Sequence, residues 1–114
     1  MQTEITTEYV RKLQQQFRER NWETIVSGIR CLNPSLSVVH DRLRDEIKKD
    51  PYATEYRIHI GTLRTPVGSV HKDEILEEFL NCYSTWMDRY IPCAHVEVDV
   101  SLYKGIEIWF VFSL

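Results

Sequence analysis

From His95 to Leu114 the chain alternates between polar and apolar residues, and this pattern constrains its fold more than any other feature. Val96, Val98, Val100 and Leu102 alternate with His95, Glu97, Asp99 and Ser101. After a short break, Ile106, Ile108, Phe110, Phe112 and Leu114 alternate with Glu107, Trp109, Val111 and Ser113. Period two on both sides of a break predicts a β-hairpin with one face in a core. A two-residue turn at Lys104-Gly105 would set Asp99 and Ser101 against Phe110 and Ile108. A three-residue loop of Tyr103, Lys104 and Gly105, with the glycine left-handed, instead pairs Leu102 with Ile106, Val100 with Ile108 and Val98 with Phe110. The opposite face then carries His95, Glu97, Asp99, Glu107, Trp109 and Val111.

Upstream the period changes to that of a helix. Ile5, Tyr9, Val10, Leu13 and Phe17 recur at helical spacing over about 3–20, with Glu4 and Glu8 early and Arg18 and Arg20 late, as the helix dipole favours. Asn21 reads as a stop, and Trp22, Ile25, Val26 and Ile29 begin a second helix over about 22–31. Asn33-Pro34 reads as a cap and first turn for a third, about 34–49, with Leu36, Val39, Leu43 and Ile47 on one face and a stop at Asp50-Pro51. Tyr56, Ile58 and Ile60 alternate with Arg57, His59 and Gly61, predicting a strand over 55–63, followed by a loop at Thr65, Pro66, Val67 and Gly68. The most apolar helix runs over about 70–90, and its apolar residues, from Ile75 and Phe79 to Trp86 and Met87, span roughly 180° of the wheel. The expected architecture is α+β: N-terminal helices, then a βαββ unit with a small, mainly antiparallel sheet in spatial order 1-3-2. The crossover helix covers one face, and residues 1–114 form one compact domain.

Composition narrows the function. The net charge of −3 gives no general attraction to nucleic acid, although residues 1–50 carry a net +1 and residues 51–114 a net −4. Cys31, Cys82 and Cys93 have no metal-type spacing and read as reduced, buried thiols. The polar, acidic start and the lack of any long apolar run predict a cytoplasmic protein that does not enter a membrane. No GxSxG elbow, Gly-rich phosphate loop or HExxH motif is present, and no cofactor is called for.

Three functional readings follow. The first is non-catalytic recognition of a protein partner by a homodimer, through Trp109, Glu97, Asp99 and Glu107 on the outer sheet face or through Trp86 and Met87 on the wide apolar arc of the 70–90 helix. A helix of the same chain lying over Trp109 is the plain alternative. The second is nucleic-acid binding by Arg11, Lys12, Arg18, Arg42 and Lys49, although Glu19, Asp41, Asp45 and Glu46 interrupt the basic run and can pair with it. The third is a small metal-dependent hydrolase or nuclease using His95, Glu97 and Asp99. These groups share a face but stand about 7 Å apart, the ordinary spacing of a solvated strand.

Overall fold

The computed structural model describes residues 4–64, 71–101 and 105–114. Its elements are α1 (Thr7–Cys31), α2 (Leu36–Lys49), β1 (Glu55–Leu63), α3 (Lys72–Tyr90), β2 (Ala94–Ser101) and β3 (Gly105–Ser113). This is an α+β arrangement with one three-stranded antiparallel sheet in the order β1-β3-β2. The last strand is central, as its apolar character predicts, and its core-side residues Ile106, Ile108 and Phe110 are fully buried.

The hairpin faces are those that the alternation dictates, but the pairing is offset by two residues. Val96 lies opposite Phe110, Val98 opposite Ile108, Val100 opposite Ile106 and Ser101 opposite Gly105. Alternation fixes only the parity of a register, so a two-residue slip keeps every side chain on its face. Leu102, Tyr103 and Lys104 of the expected turn lie outside the described residues. Gly105 has the left-handed φ of 78°, and a Cβ there would run into the carbonyl oxygen of Leu63.

β1 departs from simple alternation at a bulge. Tyr56 and Ile58 pair with Phe112 and Phe110, His59 pairs with Trp109, and then Gly61, not Ile60, pairs with Ile108. The extra residue flips the parity, so Gly61 and Leu63 join the core face while Thr62 joins His59 on the other. Gly61 belongs there because Leu32 packs where its Cβ would stand. Arg42 Nη1 donates to the His59 carbonyl at the bulge, at 2.5 Å.

All three helices contribute to one core on one face of the sheet. Ile25 and Ile29 from α1, Val39 from α2, and Ile75, Phe79 and Met87 from α3 meet Tyr56, Ile58, Val96, Val98, Ile106, Ile108 and Phe110. The expected break at Asn21 is absent: α1 is one helix of 25 residues. Asn costs only about 0.7 kcal/mol relative to Ala in a helix interior, too little to stop one that is anchored further on. Thr6, whose hydroxyl accepts from the Tyr9 amide at 3.2 Å, caps its start. α2 begins at Leu36 after Ser35, two residues beyond the expected start. Asn33, at φ 40°, follows the α1 C-cap Leu32 and serves as a left-handed terminator of α1, not as a cap for α2. α3 begins at Lys72. The expected Thr65 to Gly68 loop, Val70 and Thr3 lie outside the described residues.

The chain is elongated. Its radius of gyration is 18.3 Å and its longest dimension 68 Å, whereas a compact domain of this length has a radius of about 13 Å. The excess comes from α1, whose buried residues, Ile25 and Ile29, both fall in its last two turns. There Tyr83 of α3 fastens the helix end: its hydroxyl donates to the Ile29 carbonyl at 2.5 Å, with the Arg30 carbonyl 2.9 Å away, and accepts from the Asn33 amide at 3.1 Å. Burial raises the Tyr83 pKa, and nearby Cys82 and Cys31 add to the rise, while the Asn33 amide opposes it.

Candidate interaction surfaces

With the helices on one side, the other sheet face is lined by its own side chains. β1 contributes Arg57, His59 and Thr62, β3 contributes Glu107, Trp109 and Val111, and β2 contributes His95, Glu97 and Asp99. Arg57 reaches across β3. Its guanidinium lies 5.2 Å from the centroid of the Trp109 ring, its Nη2 is 2.6 Å from Glu97 Oε2, and Asp99 Oδ2 is 3.7 Å away. His59 packs edge-on against Trp109 with centroids 4.7 Å apart, and its Nε2 shares a hydrogen bond with Thr62 Oγ1 at 3.1 Å. Val111 is fully buried on this face, flanked by Arg57 on β1 and His95 on β2.

Trp109 is therefore neither a freely exposed anchor nor roofed by a helix. It is half-buried beneath a charged lattice of its own sheet. Its indole Nε1 is buried and has no hydrogen-bond partner among the described residues, an uncompensated donor of a kind that costs about 1–3 kcal/mol.

The metal candidates do not converge. Glu97 and Asp99 turn toward Arg57, His95 Nε2 stands 3.6 Å from Glu97 Oε1, and His59 is on the opposite edge strand. Among the described residues, no group of three or more His, Cys, Asp or Glu side chains is placed to hold a metal ion. The basic candidates are also dispersed. Arg42 serves the bulge carbonyl, Lys49 pairs with Glu46 at 3.0 Å, and Arg11, Lys12 and Arg18 lie on the projecting part of α1.

The apolar arc of α3 is largely occupied within the chain. Met87 is only 5% exposed and belongs to the core, which removes it from the outer surface. Trp86 is half-buried, stacked on Phe110 with centroids 6.1 Å apart. One side of the helix meets the sheet and Tyr83 meets α1, so the width of the arc reflects two internal neighbours. Leu80 and Tyr90 remain exposed. The three cysteines are unpaired, as expected, but all are exposed. Cys31 ends α1 and Cys93 sits in the turn before β2, where no core reaches them.

Among the described residues, several exposed apolar side chains gather on α1. Ile5 is 81% exposed, Phe17 62%, Tyr9 45% and Val10 44%. With Leu13 they form an open apolar stretch along α1 and the residues just before it. At about 100° per residue, the direction of Tyr9, Leu13 and Phe17 lies about half a turn from that of Trp22, Ile25 and Ile29. The arm therefore turns its apolar stripe away from the side by which its own root joins the body. Nothing in the sequence separates this stripe from an ordinary core stripe except the change of phase at Asn21.

No helix among the described residues is long and apolar enough to cross a membrane. Comparison with protein-family models, with curated proteins and with solved structures finds no match for this chain.

Proposed function

We propose that this chain is a non-catalytic, cytoplasmic interaction protein that works through protein–protein contact, as a homodimer joined by the α1 arm. The observation that carries the reading is the stripe of Tyr9, Leu13 and Phe17, presented on a helix that has left its own core, with exposed Ile5 just before it. An amphipathic helix draws most of its stability from packing its apolar side against another surface, and the part of α1 before Asn21 has none in its own chain among the described residues. Exposed apolar patches rimmed by charge are a mark of association sites. The absence of nucleophile and phosphate-loop motifs from the sequence favours binding over catalysis. The free cysteines fit a reducing compartment.

Light scattering behind size-exclusion chromatography tests this. The parent chain should move from 13.6 kDa toward twice that mass as concentration rises, and Phe17→Glu should remain monomeric with an unchanged circular dichroism signal from the body. A parent that stays at monomer mass at high concentration would overturn the reading.

A further inference from the structure

The two edges of the sheet are finished differently. The Leu114 amide donates to the Thr54 carbonyl at 2.8 Å, which turns the backbone groups of alternate β3 residues, Phe110 and Phe112 among them, toward β1. The groups of Glu107, Trp109 and Val111 therefore turn toward β2, where they meet Asp99, Glu97 and His95. It follows that the amides and carbonyls of Val96, Val98 and Val100 point out of the sheet at its β2 edge. The Ala94 amide fits this parity, since it leaves the sheet and bonds to the Ile91 carbonyl at 3.0 Å. Among the described residues, nothing bonds to the outward groups of Val96, Val98 or Val100.

Open strand edges are ordinarily blunted by a bulge, a proline, a lysine or a cover. β1 has two of these: its register shifts between His59 and Gly61, and Arg42 of α2 reaches the His59 carbonyl. β2 has none. Its ladder runs in unbroken register from Ala94 to Ser101, and its sequence, AHVEVDVS, contains no Pro, Gly or Lys. Val100, 38% exposed, leaves apolar surface for a neighbour on the core side.

What β2 carries instead is charge of one sign. The strands hold Glu55, Glu97, Asp99 and Glu107 against a single Lys or Arg, Arg57, and all of these lie on the outer face. A second β2 strand is therefore a poor occupant of the edge. A two-fold axis at Val98 sets Glu97 opposite Asp99, and an axis at Glu97 sets that carboxylate opposite itself. An axis nearer either end of β2 relieves this only by shortening the overlap. A strand with Lys or Arg at alternate positions meets the same carboxylates with opposite charge. We infer that the β2 edge takes an extended basic segment of a partner protein as a fourth strand, antiparallel like every other pair in this sheet. Backbone bonds to Val96, Val98 and Val100 hold it, its basic side chains lie beside Glu97 and Asp99, and its apolar side chains continue the core side past Val100. The site belongs to the body and does not depend on whether the arms associate.

Titration at low ionic strength with a short, capped, fluorescent peptide in which lysine and valine alternate tests the site. The peptide should bind, and the amides of Val96, Val98 and Val100, which face solvent in the chain alone, should exchange at least about tenfold more slowly in the complex. The same peptide with glutamate in place of lysine should bind at least about tenfold more weakly. N-methylation of the peptide's valines, whose amides would face β2, should weaken binding by a similar factor without touching the fold of the protein. Asp99→Asn should weaken the lysine peptide by about threefold. No binding of the lysine peptide, equal binding of its glutamate or N-methylated forms, or binding that leaves the Val96, Val98 and Val100 amides unprotected overturns the proposal.

Discussion

Arg57 is the residue by which the open sheet face covers itself, and its removal has a cost that can be worked from the geometry. The contact with Glu97 is short at 2.6 Å, but both side chains are about 40% exposed, so the pair contributes about 0.5 kcal/mol once screening is included. The guanidinium over Trp109 adds about 0.5–1 kcal/mol. Withdrawing the aliphatic stem opens apolar surface on Val111 and Trp109; about 30 Å² of it would cost about 0.8 kcal/mol. Arg57→Ala should thus destabilise by about 2 kcal/mol, and Arg57→Met, which keeps a stem, by about 1 kcal/mol. Urea unfolding followed by far-UV circular dichroism measures both. A double-mutant cycle with Glu97→Gln should give a coupling of about 0.5 kcal/mol that shrinks by half or more in 1 M salt. A loss under about 0.5 kcal/mol for Arg57→Ala, with no coupling to Glu97, would refute the view that this side chain roofs the face.

Two further outcomes follow from the frame. Burial holds the Tyr83 hydroxyl protonated, so its folded pKa lies above the ordinary value of about 10. The associated stability is complete below pH 10 and drains as pH climbs through the raised value. Tyr83→Phe should therefore lower stability at neutral pH by about 1–2 kcal/mol and flatten the decline above pH 10; an unchanged alkaline slope in urea melts would contradict this. Gly105→Ala should cost about 2–4 kcal/mol, because a left-handed residue gains a Cβ directly against the Leu63 carbonyl, and a thermal melt within one degree of the parent would contradict the hairpin geometry.

Several of these features were legible in the sequence, and the failures have physical reasons. The faces of the terminal ribbon and the central place of β3 follow from period-two patterning and from the apolar weight of Ile106 to Phe112. The exact register does not, since Val100 can face Ile106 or Ile108 with equal burial. The bulge at Ile60 left one trace, a glycine at position 61 inside a strand, a residue that commonly marks such sites. Asn21 was the most instructive position. The apolar stripe does change direction there, but the backbone runs on, so a real break in burial reads as a break in the helix. The site was harder to read than the fold. Arg57 gave no signal as an organiser of the outer face, because its role depends on reaching over β3 to Glu97, a contact 40 residues away in the chain. Met87 and Trp86 looked surplus on the helical wheel because a wheel counts apolar positions and is blind to a second internal neighbour.

On the proposed reading, residues 7–20 are an arm whose apolar stripe another molecule of the same chain covers. Amide hydrogen exchange across a concentration series reads this out, since a helical arm with no packed neighbour opens more readily than the core that holds its far end. Exchange in residues 7–20 should slow by at least about tenfold between dilute and concentrated samples, while amides near Ile25 and Ile29 change far less. Rapid exchange of the arm, the same at every concentration, would contradict it.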